Sequence, residues 1–235
     1  PGTYRLFNVD FNREFRYCLE EGISPVPTRD LRTCELAIPP DQVASRDLRE
    51  VRLDGDRTEG TDWDVLETVR DHLERTDPDV LVVNTGEVVP ALFAVAEEYG
   101  APLRLGRARG YEQLAGGSTY ESYGRVGHSP ARYNVPGRVL IDTSTAFFWQ
   151  ETNLDGILDL VARSGKPLQE LGWASIGNVL TAIQIQEATR RGVLVPWKAW
   201  RPERFKSMRQ LHAADRGGTT LSPRVGLHAD ATGSG

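Results

Sequence analysis

The feature that most constrains the fold is a short apolar run, followed by a polar turn and an apolar helical segment. Residues 80–83 read VLVV, residues 84–87 read NTGE, and PALFAVAEEYG begins at Pro90. A continuous apolar run of this length predicts a strand buried on both faces. Pro90 near a first turn and Gly100 as a cap predict a helix. Ligands of α/β proteins gather where such a strand meets its helix, so the turn at 84–87 is a candidate site.

Further strands and helices are predicted on both sides of this run. Alternating apolar residues predict strands within 31–39 and 48–55, and GRVLIDTS at 137–144 predicts another buried strand. Capping residues at helical spacing predict helices that begin at Thr61 or Asp62, at Asn153 and at Ser175. The glycine-rich, basic stretch between Arg104 and Arg138 predicts a hairpin or a long loop. The order of elements is typical of an α/β fold with a mixed sheet.

Charge is distributed unevenly along the 235 residues. Residues 1–100 carry 22 acidic and 11 basic side chains, a net charge of −11, whereas residues 188–227 carry nine basic and two acidic, a net charge of +7. A basic segment on an acidic body indicates contact with a polyanion, and a solvated, partly helical face is the alternative. No apolar run approaches the roughly 18 residues of a membrane span, so no membrane contact is expected.

The two cysteines, Cys18 and Cys34, predict free thiols in a reducing, cytoplasmic environment. Neither lies in a Cys-x-x-Cys motif or near a paired histidine, so the spacing along the sequence predicts no metal site. The chain opens on Pro1-Gly2 without Met and ends in TGSG, which suggests a piece of a longer protein. The tail is either a native linker or a scar of cloning.

Five segments, in order, resemble the archaeal family-B DNA polymerases around their 3′–5′ exonuclease domain. They are RLFNVDFNREFRYCLEEGISPVP, DPDVLVVNTGEVVPALFAVAEEYG, GRVLID, GVLVPWKAWRPERFK and GGTTLSPRVGLHAD. ADRGG and the connector LVPW resemble most the branch of this family that has degraded exonuclease motifs. The resemblance implies a ribonuclease-H-like fold: a mixed central sheet flanked by helices. It implies three parts: 1–28, a strand and connector from the polymerase N-terminal domain; 29–192, an exonuclease-like domain; and 193–235, a connector toward the absent polymerase palm.

The family's nuclease holds two divalent metals with acidic residues from three motifs, and this sequence departs from each motif. Ala37 and Pro39 stand where the first-strand Asp-x-Glu is expected. Asn84 matches the family's Asn, but the Phe-Asp that should follow falls near Val88-Val89. The Tyr-x-x-x-Asp helix is absent between Gly165 and Arg190. Two Mg²⁺ ions need several converging anionic oxygens, so we expect no catalytic residues, no bound metal and an inactive nuclease.

Glu35, Glu87 and Asp142 are the weak catalytic candidates for the alternative, an active exonuclease that uses Mg²⁺ or Mn²⁺ in a rearranged acidic site. Asp142 could retain one weakly bound metal, or it could cap a turn through the backbone of Thr143 or Ser144. A third interpretation is a protein-interaction module with no role on DNA.

The expected partners are DNA, as primer–template or single strand, and the rest of the polymerase chain. Aromatic residues alternate with cations in VPWKAWRPERFK, a pattern that suits base stacking beside phosphate contacts, although packing of the tryptophans is the alternative. The Gly-Gly of ADRGG aligns with an element of the family that contacts the template backbone, with Asp215 in the place of the usual Tyr. The nucleic-acid-binding candidates are Arg125, Arg132, Lys198, Arg201, Arg204, Lys206, Arg216, Gly217 and Gly218.

Overall fold

The computed structural model describes residues 7–8, 11–122, 125–146, 149–172 and 174–195. The chain divides into two compact units, and the division falls within the last described helix. We call Pro25–Val179 the core unit, and the described residues of Pro1–Ser24 and Leu180–Gly235 the terminal unit. The sequence-based bounds at 28/29 and 192/193 stay a prediction.

A five-stranded mixed sheet forms the centre of the core unit, with the strand order β3-β2-β1-β4-β9. Its strands are β1 (Thr33–Ala37), β2 (Glu50–Leu53), β3 (Asp56–Glu59), β4 (Val80–Val83) and β9 (Val139–Asp142). β1, β4 and β9 are parallel, whereas β2 is antiparallel to both β1 and β3. All four residues of β4 are buried, which confirms the strand predicted from VLVV.

Helices flank the sheet, and the helix after β3 shows how local sequence sets their bounds. α3 (Asp62–Thr76) begins at Thr61, whose side chain accepts a hydrogen bond from the Asp64 backbone while the Asp64 carboxylate accepts one from the Thr61 backbone. This reciprocal capping box fixes the first turn, and Asp77 ends the helix in a left-handed conformation. The other helices of the core unit are α2 (Pro40–Ser45), α4 (Val88–Glu98), α5 (Trp149–Ser164) and α6 (Leu168–Leu171).

The main hydrophobic cluster joins one face of the sheet to α3 and α4. Leu36 and Val83 from the sheet are buried with Leu66 from α3 and Leu92 from α4. α5 packs against α6, and α6 contacts β9. α5 contains a kink at Asn153, the residue that the sequence predicts as a helix cap.

The basic stretch before β9 is a two-part antiparallel hairpin, as one of the two sequence interpretations proposed. Its outer pair is β5 (Glu112–Ala115) with β8 (Arg132–Asn134), and its inner pair is β6 (Ser118–Ser122) with β7 (Arg125–Ser129). The outer pair leads directly back to β9 and contacts it through β8. This hairpin therefore brings its base to the edge where the parallel strands end.

The terminal unit contains α1 (Arg13–Glu21), and α7 (Ile176–Arg190) runs across the boundary between the units. Asn8 donates its backbone N–H to the Val195 carbonyl at 2.8 Å, and its side chain accepts from the Val195 N–H at 2.9 Å. Gly192 follows α7 with a φ of 67°, in agreement with its predicted capping role. No helix within the described ranges is long and apolar enough to cross a membrane.

Candidate functional site

The three parallel strands β1, β4 and β9 end along one edge of the sheet, which we call the carboxyl edge. Register pairs Leu36 with Val83 and Val83 with Asp142, so the ends of the three strands are level. The turn at 84–87 follows β4, so it lies between the ends of β1 and β9. This is the position at which α/β sheets place their ligands.

Asn84 joins the end of β4 to the end of β1. Its side-chain Nδ2 donates to the Ile38 carbonyl at 2.8 Å, and its Oδ1 accepts from the Ile38 N–H at 3.2 Å. Both polar main-chain groups of the fully buried Ile38 are satisfied by this one amide. The side-chain amide of Asn84, which would otherwise face a ligand, therefore holds β1 and β4 together.

Asp142 performs a similar role on the other side of the turn. Its Oδ2 accepts from the Gly86 N–H at 2.9 Å, and its Oδ1 accepts from the Ser144 N–H at 2.9 Å and the Ser144 hydroxyl at 2.6 Å. The side chain is 8% exposed. The bonds to Ser144 confirm the interpretation of Asp142 as a turn cap. Both oxygens are already engaged with protein donors.

Glu87 is the exposed carboxylate of the turn, and it contacts the hairpin. The hydroxyl of Tyr133 lies 3.1 Å from each of its carboxylate oxygens. Burial and the neighbouring Glu87 charge raise the pKa of Tyr133 to about 12, so the phenol stays protonated and donates. The partner that holds Glu87 is thus a tyrosine hydroxyl and not a second carboxylate.

An open groove runs from the turn along α4. One part has a volume of about 400 Å³ and is lined by Thr85, Glu87 and Tyr133 among others. A second part, of about 510 Å³, continues past Phe93 and Tyr111. Arg46 and Pro90 line both parts. We call this surface the aromatic groove, since its three rings form a series with centroid separations of 4.9 Å (Phe93–Tyr111) and 5.9 Å (Tyr111–Tyr133).

Glu35 lies apart from the other two weak candidates. In the register of the sheet, Glu35 is level with Val82 and Ile141, whereas Leu36 is level with Val83 and Asp142. Because successive residues of a strand point to opposite faces, Glu35 and Asp142 face opposite sides of the sheet. The structure brings Glu87 and Asp142 to the same turn and does not bring Glu35 to them.

The residues at the positions where the sequence resemblance predicts acidic side chains are apolar and mostly engaged in packing. Ala37 ends β1, Pro39 is half-buried before α2, and Val88 and Val89 are fully buried at the start of α4. Within the described part of the chain, no three His, Cys, Asp or Glu side chains meet at the carboxyl edge closely enough to share an ion. The described side chains at this edge therefore offer no set of ligands for two metals.

One group of metal-ligand side chains does form elsewhere in the described ranges, and the sequence spacing did not predict it. The ligand atoms of Cys34, Asp54 and His72 lie within 4.8 Å of one another. Burial, with a smaller effect of the Asp54 charge, raises the pKa of the Cys34 thiol to about 12. The three residues are distant in sequence, so only the pairing of β1 with β2 and the packing of α3 bring them together. The Asp-Gly dipeptide at 54–55, a signal for a tight hairpin, was the available clue to part of this arrangement.

Two of the nucleic-acid-binding candidates belong to described elements. Arg125 is the first residue of β7, and Arg132 is the first residue of β8, where it is half-buried. The remaining candidates lie outside the described residues: Lys198, Arg201, Arg204, Lys206, Arg216, Gly217 and Gly218. Arg46, Phe93, Tyr111 and Tyr133 form a surface that sequence reasoning missed, because it depends on the hairpin folding back to α4.

The fold of this chain is similar to part of a solved DNA polymerase. The match is to the family B DNA polymerase from the hyperthermophilic archaeon Pyrobaculum calidifontis, with a TM-score of 0.59 and 18% sequence identity. It covers 88% of this chain and 38% of that polymerase. No family model and no curated protein matches the sequence. The likeness is one of fold, and it agrees with an α/β architecture whose mixed sheet is flanked by helices.

Proposed function

We propose that this chain is a ribonuclease-H-like, exonuclease-like domain of an archaeal family-B DNA polymerase, inactive as a nuclease, that binds nucleic acid and supports the polymerase domain. The mixed sheet and the fold similarity to a family B polymerase support the class of domain. The main support for the loss of nuclease activity is that Asn84 and Asp142 hold strands and turns together at the carboxyl edge. Every side-chain oxygen of these two residues already accepts a hydrogen bond from the protein.

The alternative, an active exonuclease with a rearranged acidic site, requires Glu35, Glu87 and Asp142 to converge. Glu35 faces the other side of the sheet, and Glu87 is held by Tyr133. Two Mg²⁺ or Mn²⁺ ions about 4 Å apart need several anionic oxygens that converge on them. The arrangement of these three residues favours the inactive domain over this alternative.

The aromatic groove supports a role in binding a single strand. Nucleobases stack on aromatic side chains irrespective of sequence, and cations pair with the phosphates. Tyr111 is 37% exposed and lies between Phe93 and Tyr133, while Arg46 lines both parts of the groove. The groove thus combines a stacking surface with one cation, Arg46, and two carboxylates, Glu87 and Glu97, beside the edge where a nuclease of this fold would work.

Binding is tested with a labelled single-stranded oligonucleotide, using fluorescence anisotropy over a series of salt concentrations. We expect Tyr111→Leu to weaken binding by roughly 5- to 150-fold, the effect of losing one stacked base at about 1–3 kcal/mol. Arg46→Gln should lower the salt slope by about 0.7 for one lost phosphate contact. Tyr17→Leu and Arg13→Gln, which change exposed residues of α1, are matched controls and should leave binding unchanged.

Nuclease activity is tested on the same oligonucleotide with Mg²⁺ or Mn²⁺. The proposal predicts no metal-dependent cleavage by the purified chain. Cleavage that disappears in Glu87→Ala would instead support the active exonuclease. Absence of any salt-dependent binding to the oligonucleotide would support a protein-interaction module without a role on DNA.

A further inference from the structure

Three side chains of metal-binding type meet on the face of the sheet that α3 covers. Cys34 comes from β1, Asp54 from the turn between β2 and β3, and His72 from α3. Their ligand atoms all lie within 4.8 Å of one another. This cluster is separate from the carboxyl edge and from the aromatic groove, and neither the nuclease-like fold nor nucleic-acid binding makes use of it.

Asp54 is held so that one carboxylate oxygen points to His72. Its backbone N–H donates to the Glu35 carbonyl at 2.9 Å, and its Oδ1 accepts from the Glu35 N–H at 2.8 Å. Asp54 and Gly55 have φ values of 52° and 92°, as the two central residues of a type I′ hairpin require. Oδ2 then lies 2.9 Å from Nε2 of His72.

His72 is also fixed from its other side. Nη2 of Arg75 lies 3.3 Å from its Nδ1. Because a guanidinium has only donors, Nδ1 accepts and Nε2 carries the proton in the ion-free protein. The side chain of His72 is 14% exposed. The His72 ring is therefore oriented by partners on both of its nitrogens.

Cys34 indicates that this cluster is more than a hydrogen bond between Asp54 and His72. Its side chain is fully buried, yet its Sγ makes no hydrogen bond to any described residue. A buried thiol without a partner, beside an imidazole and a carboxylate, brings S, N and O donor atoms within 4.8 Å of one another. The Asp54 side chain is 42% exposed, so an ion can reach this cluster from solvent.

We propose that Cys34, Asp54 and His72 bind one divalent transition-metal ion of the zinc class, with water as the fourth ligand. A thiolate, an imidazole and a carboxylate suit Zn²⁺ or Co²⁺ and not Mg²⁺ or Ca²⁺. Tetrahedral bonds of about 2.0–2.1 Å place two light ligand atoms roughly 3.3 Å apart, close to the 2.9 Å between Asp54 and His72. Binding releases the thiol proton to solvent, and the imidazole proton moves from Nε2 to Nδ1 so that the neutral ring binds through Nε2. The ion clamps β1, the β2–β3 turn and α3 together.

The test is a metal titration of the full chain after removal of metals with a chelator. Zn²⁺ is added in competition with a chromophoric chelator, and Co²⁺ binding is followed by electronic spectroscopy. We expect one ion per chain and a near-ultraviolet thiolate-to-cobalt charge-transfer band. Cys34→Ser should abolish the band. It should also weaken Zn²⁺ binding by more than the roughly 10- to 100-fold that is typical when a residue that only orients a metal ligand is lost. His72→Gln should weaken it similarly.

Cys18→Ser and His128→Gln are the matched controls and should keep wild-type affinity and the cobalt band. Zn²⁺ should raise the thermal unfolding midpoint of the wild type and both controls, but not that of Cys34→Ser. A wild-type chain that shows no thiolate–cobalt band overturns the proposal, and this readout does not depend on whether any variant folds. Equal Zn²⁺ affinity of the wild type and Cys34→Ser also overturns it. Oligonucleotide binding is not measured in this test. The metal-site proposal and the proposed function can therefore each be contradicted without the other.

Discussion

The carboxylate of Asp142 accepts a hydrogen bond of 2.9 Å from the backbone N–H of Gly86, which ties the end of β9 to the turn after β4. Under the proposed function, an active nuclease would direct an acidic side chain from this edge toward a metal. Here the carboxylate is nearly buried, and its second oxygen is occupied by Ser144. The same turn is tied to β1 by Asn84. Side chains at the carboxyl edge thus stabilise the sheet, and their loss should be visible in the free energy of unfolding.

Replacing Asp142 with Ala should destabilise the core unit. The buried N–H of Gly86 would lose its acceptor, at a cost of roughly 1–3 kcal/mol, and the turn at Ser144 would lose its cap. We expect a total loss of about 2–3 kcal/mol in the free energy of unfolding. Urea denaturation measures this value. The exposed Asp71→Asn on α3 is the control, expected to change stability by less than about 0.5 kcal/mol. Equal stability of the two variants would contradict a structural role for Asp142.

Gly86 is required by close packing rather than by an unusual backbone angle. A Cβ at this position would lie 2.9 Å from Oδ2 of Asp142 and 3.3 Å from Cδ2 of Tyr133. Asp142 cannot yield easily, because the same oxygen accepts the Gly86 N–H. Gly86→Ala should therefore cost about 1–3 kcal/mol by overpacking.

The matched control is Gly116→Ala in the hairpin, where the nearest atom to the added Cβ is 3.9 Å away. Thermal or urea unfolding of both variants gives the comparison. The explanation fails when Gly86→Ala is as stable as Gly116→Ala.

Asn84→Ala should destabilise the chain by about 2–3 kcal/mol, because both main-chain groups of the buried Ile38 lose their partner. Asn84→Asp should be at least as harmful, since a carboxylate oxygen would replace the Nδ2 donor opposite the Ile38 carbonyl. Chemical denaturation of both variants tests this pair of expectations. A variant Asn84→Asp as stable as the wild type would show that the amide does not bridge β1 and β4.

Acid should weaken the opposite end of the sheet, where Asp77 and Asp79 meet several arginines. Hydrogen bonds from Arg107 are the largest cause that holds the pKa of each carboxyl below its usual range. Arg138 bonds to Asp77 at 3.0 Å, and Arg29 bonds to Asp79 at 2.9 Å. Since the folded-state pKa values are depressed, this stabilisation is present above the unfolded pKa of about 3.9 and is lost as the pH falls below it.

The unfolding midpoint should accordingly fall as the pH is lowered from about 4 toward 2. Asp79→Asn should be less stable at pH 7, by about 2 kcal/mol for its charge-assisted bonds, and less sensitive to acid over this interval. Asp71→Asn should keep the full wild-type dependence. Parallel pH profiles for Asp79→Asn and the wild type would exclude this network as a source of acid sensitivity.

The elements that sequence reasoning predicted are those whose signals are local. Four consecutive apolar residues suffice to indicate the doubly buried β4, and Thr61 or Asp62 as a capping residue indicates the start of α3. The short β3 (Asp56–Glu59) carries mostly charged, exposed residues and therefore lacks the alternation by which a strand is recognised. The sequence did not predict α2, because it begins at Pro39-Pro40, although Pro fits the first turn of a helix.

The site could be predicted only where a single segment defines it. The turn at 84–87 follows from the order of strand and helix, and the absence of acidic residues at Ala37 and Pro39 is visible in the sequence. The tie between Asp142 and Gly86 spans 56 residues, and the aromatic groove needs Tyr133 to cross from the hairpin to α4. The cluster of Cys34 and His72 also depends on packing. None of these contacts leaves a periodic signal in the sequence.

The most direct test of nuclease inactivity is a crystal structure of the full chain soaked in Mn²⁺, with anomalous scattering used to locate the ions. We expect no pair of ions at the carboxyl edge between Asn84, Glu87 and Asp142, whether or not an ion occupies the separate cluster at Cys34. Two ordered Mn²⁺ ions about 4 Å apart at that edge, bound by Glu87 and Asp142, would contradict it.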